Sequence, residues 1–190
     1  GFSCSRQGQS LSGVTSREPS GLPAEFVPVL GHPALVHAPP QQSRLLRSAA
    51  LFRFLNFTHK LELLVVNTVT ANIALGRYDF VLAPDMRRHA HRIYVDEGYH
   101  ALFSFEHMEA MRSFLPHDMA VERKPQFLLA LDSMRAGLGD HRVLLLELFF
   151  VVFSEMLITS TLKTAHAQDG LDGGVRELLA QHSQDEARHH

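Results

Sequence analysis

"VDEGYH" (residues 95–100) and "QDEARH" (residues 184–189) both read Asp-Glu-x-x-His, and this repeat decides the fold. Residues three apart are neighbours on a helix, so Glu97 and His100 share a face, as do Glu186 and His189. A single Glu-x-x-His carries no information in a chain with 13 histidines. Chance alone supplies about 0.75 of them, and requiring the preceding Asp lowers that to about 0.04. The chain has two. Such a pair on two helices, with one further glutamate from each of two other helices, builds a two-metal carboxylate site in the core of a helical bundle. Carboxylates hold two cations close together and offset their charge, while imidazoles complete each coordination sphere.

Each motif therefore needs a glutamate from the helix before it. For Glu97 the helical glutamate on offer is Glu62, 35 residues earlier in "FTHKLELLVVNTV", and for Glu186 it is Glu155, 31 residues earlier. Both intervals fit two antiparallel helices folded back through a loop. The apolar run "LLLELFFVVFSEMLITSTL" (144–162) offers two glutamates, Glu147 and Glu155. They stand roughly 80° apart around a helix, and Glu147 sits about 12 Å further from the level of Glu186. Glu155 is the expected ligand, and Glu147 is expected to contact the surrounding protein or reach solvent. His182, four residues before Glu186, adds a third histidine to the same stripe. Asp96 and Asp185 are expected to hold the outer ring nitrogens of the ligating imidazoles, Asp96 meeting His189 and Asp185 meeting His100 across the bundle.

The rest of the chain is consistent with this reading. Its 190 residues are 45% hydrophobic, with 18 basic against 20 acidic side chains, and one domain with a sizeable core accommodates them. That balance argues against an electrostatic nucleic-acid binder. One cysteine, Cys4, excludes an internal disulfide framework and a CxxC zinc site. The apolar run 143–158 is shorter than the roughly 20 uncharged residues of a membrane span and carries two carboxylates. It is expected to be a buried helix, with no membrane partner. The polar N-terminus shows no apolar core of a signal peptide, so a cytoplasmic location is expected.

Residues 1–24 are rich in Ser and Gly and are expected to form a mobile arm, with residues 25–190 as the metal-binding domain. After a Pro-punctuated stretch (25–43), helices are expected near 43–76, 86–113, 122–136, 141–167 and 173–190, separated by clusters of Gly, Pro and Asp. Asp118 and Asp140 are placed to cap the helices that follow them. The expected fold class is all-α, a ferritin-like helical bundle with a di-iron, or di-manganese, carboxylate site between four helices. His59 is expected beside the site or at the surface. His89, His91, His107, His117 and His190 are expected at the surface, and Glu106 and Glu109 on a solvated face.

The set Glu62, Glu97, His100, Glu155, His182, Glu186 and His189 resembles the four-Glu, three-His set of the p-aminobenzoate N-oxygenase family. "VPVLGHPAL" and "LFRFLNFTHKLE" resemble that family's entry into its first ligand helix. The resemblance covers roughly residues 26–190, and family members continue further, so truncation at the C-terminus is expected. It implies two iron ions as cofactor, O2 as co-substrate, a small-molecule amine as substrate and an external electron donor; a homodimer is compatible with it. The implied reaction is arylamine N-oxygenation toward hydroxylamine or nitro products. The alternatives are C–H oxidation of another small substrate at the same centre, and a non-catalytic metal-binding bundle. Val65, Val66, Phe103, Val151, Val152 and Leu157 are the apolar residues expected around the site.

Overall fold

The structure, a computed structural model, describes residues 21–80, 82–116, 119, 123–165, 171 and 173–189. Among the described residues there is no strand, and the fold is an all-α bundle. Three short 3-10 turns, Ala24–Phe26, Pro28–Gly31 and Pro33–Leu35, carry the Pro-rich entry. The helices are α1 (Pro40–Leu61), α2 (Asn67–Leu75), α3 (Pro84–Met111), α4 (Gln126–Arg135), α5 (Asp140–Ala165) and α6 (Gly173–His189). Residues 1–20 of the expected arm and the proposed cap Asp118 lie outside the described residues. Of the arm's last residues, Leu22 is buried against α1, its N–H donating to Arg47 O at 3.1 Å.

Proline starts the helices and glycine ends one, as local chemistry requires. Pro40 and Pro84 occupy first-turn positions, where a missing N–H costs nothing. α2 stops at Gly76, whose φ of 69° and ψ of 38° let the chain turn back toward α3. Asp140 is the first residue of α5 rather than the residue before it.

The first long helical stretch is not uniform. Between α1 and α2, Glu62–Val66 forms one π turn, in which the Asn67 N–H reaches back five residues to Glu62 O. The extra residue re-aims the stripe: Glu62, Val65 and Val66 are buried, while Leu63 and Leu64 are exposed. Nothing in "LELLVV" announces it, since apolar residues surround Glu62 and no Pro or Gly interrupts the run. Such turns occur frequently at functional sites.

The core joins Leu51, Leu55 and Leu61 from α1 to Leu131, Leu162 and Leu179 from the later helices, all fully buried. α5 departs from expectation. It is long and apolar enough to cross a membrane, yet it is not a wholly buried helix. Its inner face (Glu147, Val151, Glu155, Ile158, Leu162) is buried, whereas Phe149, Val152, Phe153, Met156 and Leu157 are exposed. Val152 and Leu157 therefore point away from the place expected of them. A helix that is apolar all round does not encode which face meets the core.

Candidate metal centre

Four helical segments converge on one buried cluster. The π turn brings Glu62, α3 brings Glu97 and His100, α5 brings Glu155, and α6 brings His182, Glu186 and His189. Glu62, Glu97 and Glu186 rank among the largest fully buried side chains of the described residues. Glu155, His100 and His182 are buried, and the His189 side chain is only 9% exposed.

Two groups of three donors each lie within 4.8 Å of one another: Glu62, His100 and His182, and beside them Glu97, Glu186 and His189. The distances show how they adjoin. Glu97 turns Oε2 to His100 Nδ1 (3.2 Å) and Oε1 to His189 Nδ1 (3.1 Å). Glu186 turns Oε1 to His182 Nε2 (3.3 Å) and His100 Nδ1 (3.5 Å), and Oε2 to His189 Nδ1 (3.5 Å). Each of these carboxylates thus presents one oxygen to either group. His182 Nε2 also approaches Glu62 Oε1 at 3.3 Å, and its ring lies 4.0 Å from that of His100.

Proximity has produced one hydrogen bond between these donors, His100 Nδ1 to Glu97 Oε2 at 3.2 Å. Both oxygens of Glu62 and of Glu186, Oε1 of Glu97 and of Glu155, His182 Nε2 and His189 Nδ1 are buried without a hydrogen-bond partner among the described residues. Orphaned buried polar atoms are costly and call for an explanation. Here they are two kinds of ligand atom, carboxylate oxygen and imidazole nitrogen, converging on shared points. That donor set fits divalent iron or manganese.

The outer nitrogens are held from behind. His100 Nε2 lies 3.4 Å from Asp185 Oδ2, and His189 Nε2 lies 3.4 Å from Asp96 Oδ2, the pairing that the motif spacing suggested. Arg188 donates to Asp185 Oδ1 at 2.7 Å. Its place at i+3 from Asp185 is the spacing of a helical ion pair, the signal in "QDEARH" that points to it. Both inner nitrogens of these two histidines are consequently Nδ1.

Electrostatics follow from crowding four carboxylates in a dry interior. Burial, reinforced by Glu97, Glu155 and Glu186, raises Glu62 well above the carboxylate range. Burial, with Glu186 and Glu97 close by, pushes Glu155 up to about 10. For Glu97, burial is outweighed by His100 and His189; for Glu186, by His182 and His189; both end below the ordinary value. Burial also opposes charge on His100 and His189. Asp185 and Glu97 outweigh it for His100, raised to about 9, and Glu186 and Glu97 do so for His189, raised to about 10. His182 is lowered by its burial. Without metal, the cluster thus holds protons where cations would otherwise sit.

The remaining candidates separate from the cluster. Glu147 Oε1 pairs with Arg135 at 2.7 Å, a partner from α4 that sequence spacing could not show. His59 Nδ1 lies 3.0 Å from Ala101 O. His89 and His91 are exposed, His107 is partly buried with Nδ1 3.1 Å from Phe103 O, and Glu109 pairs with Arg112 on the surface. His117 and His190 lie outside the described residues.

An all-α bundle with two adjoining carboxylate–histidine groups at its centre defines the class: a helical protein built around a candidate two-metal centre. The p-aminobenzoate N-oxygenase AurF family matches residues 14–190, nearly the whole chain, and the chain belongs to that family of oxygenases. No curated protein matched the chain in comparison.

Proposed function

We propose that this chain is an O2-dependent non-haem di-iron oxygenase that oxidises the nitrogen of an amine, an arylamine of the p-aminobenzoate type, toward hydroxylamine and nitro products. The observation that carries the reading is the shared use of Glu97 and Glu186, each offering one oxygen to either donor group. In this reading Glu62, His100 and His182 would hold one ion and Glu155 and His189 the other, with Glu97 and Glu186 shared between the two groups. Four carboxylates then balance two divalent cations. Bound iron supplies the electron transfer to O2, which protein side chains cannot perform.

The chain's own residues orient and protect. Asp96 and Asp185 fix the tautomer of His189 and His100, so that each imidazole presents Nδ1 inward. Val65, Val66 and Val151, all buried, lie one turn from Glu62 and Glu155 and keep that side of the centre dry. Reducing equivalents enter from an external donor, and cytoplasmic reductants suit that need.

The test is anaerobic ferrous loading and a metal count, then O2, absorption spectroscopy and chromatography of products from p-aminobenzoate. Two irons per chain and a hydroxylamino or nitro product are expected. One firmly held zinc, or no metal, refutes the centre; two irons with oxidation only at carbon refutes the reaction.

A further inference from the structure

Threonine hydroxyls inside helices ordinarily bond to the carbonyl one turn back. Thr68, Thr70, Thr161 and Thr164 do so here, at 3.0, 3.0, 2.9 and 3.1 Å. Thr58 does not. Its side chain is fully buried in α1, and its Oγ1 has no hydrogen-bond partner among the described residues. It stands one helical turn before Glu62, on the same face. Yet neither oxygen of Glu62 takes its proton, because both are also without a hydrogen bond.

The side of the centre on which Thr58 stands can be read from the packing. His59 Nδ1 meets Ala101 O, so α1 and α3 run past each other with Thr58 beyond His100, toward Ser104. His182 lies on that side too, beside Glu62 and His100. Ser104 and Thr159, each one turn from a ligand on its own helix, are buried there as well. The opposite side is closed by Val65, Val66 and Val151. Ile158 and Leu179, one turn from Glu155 and His182, are buried apolar neighbours on the Thr58 side too. A buried hydroxyl with no partner is destabilising, and a methyl group fills the same space without that cost. A hydroxyl without a partner one turn from Glu62 is a donor waiting for an acceptor that arrives with the centre's occupants.

We infer that Thr58 Oγ1 donates a hydrogen bond to a small anion, of the class of hydroxide or azide, that the metal-loaded centre would take up beside Glu62 and His182. The inference rests on the di-iron reading above. Thr58 is then a binding residue for the inorganic ligand, and its hydroxyl sets how tightly that ligand is held.

Azide is the probe, titrated into the oxidised iron-loaded full chain and followed by its charge-transfer absorption. Thr58→Val should leave two irons per chain and weaken azide about tenfold, the worth of one hydrogen bond to a charged acceptor. Thr58→Ser should restore most of the affinity. In the metal-free full chain, Thr58→Val should raise Tm by about 3 °C, because it removes an unsatisfied buried hydroxyl. Unchanged azide affinity with two irons bound overturns the inference alone. A lowered metal-free Tm overturns it too, since the hydroxyl would then be serving the fold. A wild-type chain that binds no metal overturns the di-iron reading and this inference with it.

Discussion

Loading the centre with metal should expel protons in a number set by charge balance. Four glutamates and three histidines share one interior, and four unpaired carboxylates cannot all stay ionised there. In the metal-free protein burial favours the neutral form of Glu62 and Glu155, while the neighbouring histidines favour the ionised form of Glu97 and Glu186 and the carboxylates favour charge on His100 and His189. The cluster is then neutral and carries four protons that ligation must remove. The count does not depend on where those protons sit, because any neutral arrangement of four carboxylates needs as many. Two divalent cations bound to four carboxylates and three neutral imidazoles restore the same neutrality. Release of about four protons per two cations is the expected value. Calorimetric titration with Mn2+ at pH 7, in buffers of different ionisation enthalpy, reads it directly. By linkage, the combined binding constant should rise about four decades for each pH unit near neutrality. The slope flattens toward pH 9–10, where His100, His189 and Glu155 lose their own protons. Release of no more than one proton would falsify the buried, neutral cluster.

The other predictions concern single groups. Glu155→Ala should sharply lower iron content, whereas Glu147→Gln should preserve it and instead cost about 1–2 kcal/mol of stability by loosening the partly exposed Arg135 pair; the opposite ranking in metal analysis and thermal melts refutes the register of α5. His182→Ala should still bind two metals at saturation but in two classes, one weaker, since its donor group retains only Glu62, His100 and the bridging oxygens; an isothermal titration with a single unchanged class argues that His182 is not a ligand. The metal-free protein should lose Tm between pH 7 and pH 10. His100, His189 and Glu155 have folded values above their unfolded ones, so the folded state binds more protons there and weakens as they leave. The metal-loaded protein should not show this fall, and equal pH profiles for the two forms would contradict it.

The seven candidate ligands were legible because each rests on local periodicity. Glu97 with His100, and Glu186 with His189, are three apart on one helix. Glu62 and Glu155 stand at matched intervals from them, and Asp96 and Asp185 follow from adjacency within the motif. Helix order was legible for a related reason, since Gly76 and Pro84 bound the break between the first two long helices through backbone sterics. Other features depend on partners distant in the chain. Arg135 meets Glu147 from another helix, and no spacing rule connects them. The outward turn of Val152, Phe153 and Leu157 was hidden because large apolar residues surround the two glutamates on every face of α5, so hydrophobicity could not choose the inner one.

What the sequence by itself determined is therefore the inventory and its order: four helical segments, the donors on each, and their pairing into two halves. Only the tertiary structure decided how those donors face one another. It put one oxygen of Glu97 and of Glu186 toward either donor group, inserted the π turn that aims Glu62, and left the Thr58 hydroxyl buried without a bond. Periodicity says which residues share a helix face. The rotation of one helix against another, and the atom each carboxylate turns inward, are settled by packing among residues far apart in the chain.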